Sequence, residues 1–277
     1  SAILIGGLAA GMAACLLLLE YVGYELSFDN FHRKGDRIYR VVNERFQEGK
    51  SIQKGTITYP TIGPAMAEDF PEIANHTRLM AGDNVFVRLG DKVAEQEGLF
   101  WVDEHFLEMF DFPLLAQEEK QLLGEAYEVA ISQTVAETYF PWAKGDFRAI
   151  LGKEIFLGKD GKPFKVTAIF KDIQANSLLQ FNVLGSFATI PANRGKESVE
   201  SWNWSDFWHF IELKPGTNVA TLQAKFPAFS ERHFQGDKVS GSQEVFSLQA
   251  LKDAHLYSKG LEYEIGKTAN GNTVWSL

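Results

Sequence analysis

The side chains that could perform catalytic or metal chemistry are few and lie far apart in the sequence. The six histidines include no H-E-x-x-H motif and no close pair that would place two imidazoles on one metal ion. No G-x-x-x-x-G-K-[ST] loop for nucleoside phosphates and no G-x-S-x-G nucleophile elbow occurs. We therefore expect no metal, no cofactor and no enzymatic activity in this chain, and any ATP hydrolysis would require another subunit.

Two acidic residues and one thiol are the remaining candidates for catalysis. Glu95 and Glu97 would lie on one face of a strand, roughly 7 Å apart, which could suit a glycosidase pair. An exposed strand edge explains the spacing more simply, because acidic side chains are usually exposed. Cys15 lies in an apolar run, where a thiolate is disfavoured, and as the sole cysteine it has no internal disulfide partner. Neither feature indicates a catalytic site.

An aromatic cluster between positions 202 and 210 is the one candidate ligand site. Its members are Trp202, Trp204, Phe207, Trp208 and Phe210. Flat rings of this kind can stack on sugars or grip peptides. A strand approaching Phe210 would instead bury the rings in a core, and we favour that interpretation.

Composition and charge exclude several classes of protein. The chain has 277 residues, of which 45% are hydrophobic and 23% charged, values typical of a folded protein with one or two domains. The 27 Lys and Arg residues stand against 36 Asp and Glu residues, so the net charge is -9. Because this charge repels phosphate backbones, we expect no nucleic-acid partner.

An uncharged run over residues 2–19 predicts a membrane-spanning helix. As an α-helix these residues would be roughly 27 Å long, close to the thickness of a bilayer core. A buried core helix would usually show a polar face, and a secretory signal would have a basic start and a shorter apolar stretch. Gly7 and Gly11 form a G-x-x-x-G pair that could pack helices closely in lipid, although glycine is common in such helices.

The flanks of this run indicate its orientation. Glu20, Glu25 and Asp29 precede the first basic residues, Arg33 and Lys34, whereas a cytoplasmic flank more often begins with Lys or Arg. We therefore expect the folded body outside the cytoplasm. The run begins without an initiator methionine or a basic flank, so we interpret the chain as a piece of a longer protein.

A helical pattern continues beyond the apolar run. Apolar and aromatic residues recur at spacings of 3 and 4, which predicts a stiff stalk helix through Phe31. These residues are Leu17, Tyr21, Tyr24, Phe28 and Phe31. Asp29 and Arg33 would lie one turn apart in the favourable order for an ion pair. A helix packed on its own domain fits the same spacing, because two heptads are fewer than a coiled coil requires.

Beyond Gly35 the pattern changes to that of strands and short helices. We expect strands at 37–45, 73–80, 210–213 and 244–249, and helices at 61–70 and from Asn218 to His233, the second kinked by Pro227. Two β-α-β units in this order could form a split βαβ sandwich. Between them, residues 83–187 predict hairpins at 85–97 and 154–170 and a helix capped by Ser132, which we interpret as an inserted subdomain.

Five stretches resemble one family of membrane proteins. The sequence YVGYELSFDNFHRKGDRIYRV, residues 21–41, is similar to the junction between the first membrane helix and the ectodomain in MacB-type and FtsX-type ABC transporter permeases. The others are VAISQTVAETY (129–139), LGKEI (151–155), NSLLQFNVLGSF (176–187) and LKDAHLYS (251–258). They follow the family order over nearly the whole chain.

The resemblance implies an α+β periplasmic core domain. It would consist of a porter-like split βαβ subdomain, with a smaller strand-rich subdomain inserted into it, carried by a membrane-spanning and stalk helix. The implied boundaries are 1–35 for the first membrane helix and stalk, 36–82 with 207–257 for the porter-like subdomain, 83–206 for the inserted subdomain and connecting loop, and 258–277 for a stalk returning to a second membrane helix.

The resemblance also implies a mechanical function at the bacterial inner membrane, with the main body in the periplasm. Family members act as dimers with a separate cytoplasmic ABC ATPase, and many pass motion to a periplasmic substrate or adaptor. The expected partners are that ATPase, a second permease copy, a periplasmic adaptor and membrane lipid.

Positions along the predicted stalk suggest roles for its residues. Tyr21, Tyr24, Phe28 and Phe31 would form the stalk seam, and Glu25, Asp29, His32 and Arg33 would tie its upper end to the porter-like subdomain. The alternative is an extracytoplasmic sensor or ligand-binding module that uses the aromatic cluster as its pocket and the helix as a tether.

Overall fold

The structure is a computed structural model that describes residues 2–82, 85–89, 92–96, 98–119, 121–158, 161–234 and 242–275. Its first element is helix α1 (Ala2–Glu25). The helix has no proline and carries no charge before Glu20, and the segment Ile3–Glu25 is long and apolar enough to cross a membrane. The apolar part of that segment is not buried inside the body, whereas Glu25 at its end is buried. Because α1 is apolar on every face and its apolar side chains are exposed, it fits a lipid environment, as the sequence predicts.

The prediction of a continuous stalk helix through Phe31 is wrong, because α1 ends at Glu25. The chain then turns. The amide of Ser27 donates to the carbonyl of Tyr24 at 3.0 Å, and Asp29 takes a left-handed φ of 56°. Aspartate is among the few non-glycine residues that tolerate this region. Phe28 and Phe31 therefore leave the helical seam and pack on the body.

The described strands form one mixed sheet. Its members are β1 (Ile38–Gln47), β2 (Lys50–Gly55), β3 (Ile57–Thr58), β4 (Ile73–Ala81), β5 (Val85–Leu89), β6 (Lys92–Gln96), β7 (Leu99–Val102), β8 (Leu114–Gln117), β9 (Glu128–Ser132), β10 (Glu154–Leu157), β11 (Lys162–Phe170), β12 (Val183–Ser186), β13 (Phe207–Leu213) and β14 (Ser242–Ala250). The further α-helices are α2 (Ile62–Asp69), α3 (Phe106–Met109), α4 (Gln133–Tyr139), α5 (Thr189–Arg194), α6 (Val219–Gln223), α7 (Phe226–His233), α8 (Leu251–Ala254) and α9 (Gly271–Trp275).

The first half of the sheet has the order β14-β1-β13-β4, and each neighbouring pair is antiparallel. The strands of the unit β1-α2-β4 therefore alternate with those of the unit containing β13 and β14. This interleaving is the split βαβ arrangement that the sequence predicts. Ile62 and Met66 from α2 and Phe226 and Phe229 from α7 pack with Ile211 in one buried apolar cluster.

Two short helices replace the single kinked helix expected after Asn218. The Asn218 side chain accepts a hydrogen bond from the amide of Thr221 at 3.0 Å and so caps α6, as predicted. Pro227 does not kink a helix, because it lies in the first turn of α7, where no amide hydrogen is needed.

The second half of the sheet continues from β4 through β7 in the order β12, β9, β11, β10, β5 and β6. The expected hairpins β5-β6 and β10-β11 are both present, although their turns at 90–91 and 159–160 lie outside the described residues. The Ser132 hydroxyl accepts from the amide of Val135 at 3.3 Å and caps α4, as predicted. Because Leu79 of β4 pairs with Val102 of β7, the two halves share backbone hydrogen bonds.

Candidate coupling site at the membrane end of the body

The last turn of α1 is fastened to the body by a buried pair, Glu25 and His255. Nε2 of His255 lies 2.6 Å from Oε2 of Glu25, and its Nδ1 lies 2.8 Å from the carbonyl oxygen of Lys267. The ring of Phe28 stacks on the imidazole, with centroids 3.4 Å apart and an interplanar angle of 3°. The end of α1 is thus joined to the residue after α8 and to the segment that follows it.

Asp29 holds the turn after α1 against a second part of the body. Its carboxylate accepts from the Ser177 hydroxyl at 2.9 Å and from the Leu178 amide at 3.0 Å, and its own amide donates to the carbonyl of Asn176 at 3.0 Å. Asp29 is only 1% exposed. A carboxylate this buried requires such donors, because a buried charge without hydrogen-bond partners costs folding free energy.

His32 and Arg33 make the third attachment, to the segment after α3. The amide of Asp111 donates to Nδ1 of His32 at 3.0 Å, while the amide and Nε of Arg33 donate to the Asp111 carboxylate, both at 2.7 Å. The ion pair expected between Asp29 and Arg33 is not formed, because the helix that would align these residues has already ended. Phe31 packs beside the His32 ring and Phe112.

Further ion pairs near this site could not be predicted from the sequence. The ammonium of Lys34 lies 3.1 Å and the guanidinium of Arg37 lies 3.2 Å from the carboxylate of Glu212 in β13. Lys252 of α8 lies 2.6 Å from Asp36. The basic residues clustered at 33–37 indicate that ion pairs could form here, but the acidic partner of Lys34 and Arg37, Glu212, lies far away in sequence.

A buried arginine attaches the returning segment to the sheet. Arg40 of β1 donates to both carboxylate oxygens of Glu264, at 2.5 and 2.8 Å, and also to Ser258 Oγ at 2.6 Å and Gln249 Oε1 at 2.7 Å. The amide of Glu262 donates to the carbonyl of Lys54 at 2.9 Å, and α9 lies against α1. Residues 258–275 therefore run from the sheet back to the membrane helix.

The remaining residues of the predicted stalk are placed differently. Tyr24 packs edge-on against Phe28, with ring centroids 5.6 Å apart. Tyr21 and Tyr24 are 42% and 43% exposed, however, whereas Phe28 is 4% exposed, so the predicted seam is buried only at its upper end. Gly7 and Gly11 have no atom within 4 Å of a Cβ built at either position. Their role in packing against another membrane helix stays a prediction.

The three tryptophans at 202–208 do not converge on one pocket. Trp202 stacks on His233 with centroids 4.9 Å apart, and Trp204 packs edge-on against Phe207. The indole N–H of Trp208 donates to the carbonyl of Tyr263 at 2.8 Å. Trp204 and Trp208 nevertheless line an open groove of about 650 Å³, together with Trp101, Arg194, Asp206 and Tyr263. They belong partly to the core and partly to this groove.

The perturbed titratable groups of the body are explained by structural contacts. Burial lowers the pKa of His209 to about 3, and its Nδ1 accepts from the amide of Gly63 at 3.0 Å. Burial would raise the pKa of Asp103, but the guanidinium of Arg78, 2.7 Å away, outweighs it and holds that pKa below its ordinary value. Burial and the Glu244 carboxylate raise the pKa of Tyr59 to about 12.

No group of three His, Cys, Asp or Glu within the described ranges could hold a metal ion. The pair Glu95 and Glu97 cannot be placed, because Glu97 and the side chain of Glu95 lie outside the described residues. The site at the end of α1 joins one helix to three separate parts of the body.

Comparisons with known proteins agree with this architecture. The chain matches the family model of the MacB-like periplasmic core domain over residues 1–229. No curated protein sequence matches it. The structure is similar to a domain of a protein assigned as a permease from Porphyromonas gingivalis, with 21% identity, a TM-score of 0.67 and coverage of 79% of this chain and 91% of that one. The periplasmic region of MacB from Actinobacillus actinomycetemcomitans is 13% identical, with a TM-score of 0.50 and coverage of 78% and 90%.

Proposed function

The chain belongs to the MacB-like periplasmic core domain family of ABC transporter permeases, and we propose that it transmits ATP-driven conformational change across the inner membrane. The recipient would be a periplasmic or membrane substrate that the complete transporter exports or extracts. In this account the ATPase lies on a separate cytoplasmic subunit, and the body described above is the moving part on the periplasmic side.

The observation that carries this proposal is the turn at Asp29, which hydrogen bonds from its carboxylate and amide hold against the body. A helix can move a folded body only when the joint between them does not flex, and packed, hydrogen-bonded elements transmit displacement better than free loops. Asp29 is buried, accepts from Ser177 and Leu178, and lies between the attachments at Glu25 and Arg33. The three attachments reach different parts of the body, so a tilt of α1 is transmitted to all of them.

The returning segment supports the same account from the other side. Arg40 and Glu264 bind residues 258–275 to strand β1 of the sheet, and α9 lies beside α1. Two connections at the same end of the body would resist rotation about either one alone. A second membrane helix following this segment would therefore move together with α1.

The expected partners are proposals of the same kind. An ABC ATPase and a second permease copy follow from the family, in which a periplasmic adaptor also occurs. The exposed apolar surface of α1 would face lipid or other membrane helices. Gly7 and Gly11 would allow one of those helices to approach closely.

The test is a flexible joint placed before the first attachment in the full transporter. Gly-Ser-Gly inserted between Tyr21 and Val22 should abolish transport while ATP hydrolysis continues. The same insertion between Glu48 and Gly49, in the exposed turn joining β1 and β2, is the matched control and should leave transport intact. Full transport by the first variant would contradict the proposal.

A ligand-binding sensor remains a second candidate because of the groove at Trp204 and Trp208. In that case the groove would hold a ligand and α1 would serve as a tether. Loss of transport on insertion before Glu25 is not expected for a tether, so the same experiment separates the two functions.

A further inference from the structure

Both ring nitrogens of His255 face oxygen atoms. Nδ1 lies 2.8 Å from the carbonyl oxygen of Lys267, and Nε2 lies 2.6 Å from Oε2 of Glu25. A backbone carbonyl can only accept a hydrogen bond, so Nδ1 must carry a hydrogen and donate it. A neutral imidazole has one N–H, and the contact with Lys267 already uses it.

Nε2 of a neutral His255 would then direct a lone pair at Glu25. An ionised carboxylate also offers only lone pairs, and two acceptors at 2.6 Å repel each other unless a proton lies between them. We infer that Glu25 and His255 hold one shared proton, and that this proton fastens α1 to the returning segment. The pair is imidazolium with carboxylate, because the carbonyls at the C-terminus of α1 favour positive charge on the ring.

The surroundings leave Nε2 no other partner among the described residues. Glu25 is 8% and His255 is 4% exposed, and the Phe28 ring covers one face of the imidazole. The charged groups on the neighbouring elements are engaged elsewhere or exposed. Asp29 binds Ser177 and Leu178, Lys252 pairs with Asp36, Glu264 pairs with Arg40, and Asp253 and Lys267 are exposed.

The position of the pair favours retention of the proton. Glu25 is the last residue of α1, and the carbonyls at a helix C-terminus attract positive charge. Transfer of the proton to hydroxide in solution would leave two acceptors in contact. The contact would open, and Lys267 and α9 would lose one of their attachments to α1.

The existence of the shared proton does not depend on the proposed function, whereas its effect on transport rests on that function. Alkaline pH outside the membrane would loosen the joint, and acidic pH would keep it closed. The site is therefore a proton-binding site at the point where the membrane helix enters the body.

Nitrogen NMR of the full chain in detergent micelles, labelled with [15N]histidine, tests the proton directly. The His255 signals are identified by their loss in His255→Gln. The native chain should show both His255 nitrogens protonated at neutral pH, whereas Glu25→Gln should show only Nδ1 protonated. The glutamine amide can donate to Nε2 of a neutral imidazole, so this variant keeps the contact without the proton.

Hydrogen exchange at Ala269 and Gly271 tests the mechanical consequence, because their amides donate to the carbonyls of His255 and Leu256 at 2.7 and 2.9 Å. After correction for the intrinsic rate, their protection should fall with rising pH in the native chain and stay constant in Glu25→Gln. A His255 ring protonated at Nδ1 alone in the native chain, or equal pH dependence of protection in the two chains, would overturn the inference. Neither outcome depends on transport, which the glycine insertion tests separately.

Discussion

The guanidinium of Arg40 and the carboxylate of Glu264 form a bidentate ion pair, with N–O distances of 2.5 and 2.8 Å. The two residues are 224 positions apart in sequence. Arg40 lies in β1, between β14 and β13, and is only 1% exposed. The pair connects β1, the strand that follows α1 and its turn, to the segment that returns toward α1. The proposed function depends on both of these connections to the membrane.

Loss of Glu264 should destabilise the body because Arg40 would be left as a buried, partly unpaired charge. We expect Glu264→Ala to lower the free energy of unfolding by about 3 to 5 kcal/mol, the range measured for breaking buried ion pairs. Urea unfolding followed by circular dichroism measures this change. Glu264→Gln is the matched control and should cost less, since its amide oxygen still accepts one hydrogen bond. Equal stability of Glu264→Ala and the native chain would contradict the role given to this pair.

Asp29 should be intolerant of truncation because two donors depend on its carboxylate. Asp29→Ala leaves the Leu178 amide and the Ser177 hydroxyl unpaired and places alanine at a left-handed φ of 56°. Each unpaired buried group costs about 1 to 3 kcal/mol. Asp29→Asn keeps one acceptor and tolerates this backbone region, so it should retain most of the stability. Thermal unfolding of the two variants in parallel tests the ranking, and an alanine variant as stable as the asparagine variant would contradict it.

Tyr59 should make stability depend on pH in the alkaline range. Burial and the Glu244 carboxylate raise its pKa from the ordinary value of 10.0 to about 12 in the folded chain. Between these values the unfolded chain has lost the phenolic proton and the folded chain still holds it, so stability falls as pH rises from about 10 to about 12. Ultraviolet titration of the phenols and urea unfolding measure the two sides of this linkage. Tyr59→Phe should remove this contribution, and an unchanged pH profile would refute it.

Trp208 and Trp204 should respond differently to alanine. Trp208→Ala loses ring packing on Phe100 and the hydrogen bond to Tyr263, so we expect about 3 kcal/mol of destabilisation, the lower end of the range for buried tryptophan. Trp204→Ala should cost less, because this ring borders the open groove. Unfolding free energies decide the order. If both variants kept native stability while a ligand lost its affinity, the sensor function would replace the mechanical one.

Much of the architecture could be predicted from local sequence. The apolar run specifies a membrane-length helix through composition alone, and Ser132 and Asn218 cap helices through contacts three residues away. Periodicity also located β1, β4, β13, β14 and α2 to within a few residues. Alternating units of this kind have few packing solutions, so the split βαβ order followed.

The end of α1 could not be predicted, because it depends on contacts distant in sequence. The spacing of Tyr24, Phe28 and Phe31 fits a helix, but Asp29 bonds Ser177 and Leu178, almost 150 positions later. The separation of the aromatic cluster at 202–210 into different parts of the body could not be predicted either, because it depends on the faces of β13. Phe207 and Trp208 are neighbours in β13, and successive strand residues point to opposite faces, so they join different apolar clusters.

The central claim is that α1 and the body move as one rigid unit. Asn176 Nδ2 lies 2.9 Å from Ser27 Oγ across this joint. In the full transporter, with Cys15→Ser as background, Ser27→Cys and Asn176→Cys can be bridged by a short bifunctional maleimide and the yield determined by mass spectrometry. We predict that transport continues at its unbridged rate, because the bridged residues already move together. Arrest of transport on bridging would show that the joint must flex, and would contradict the account.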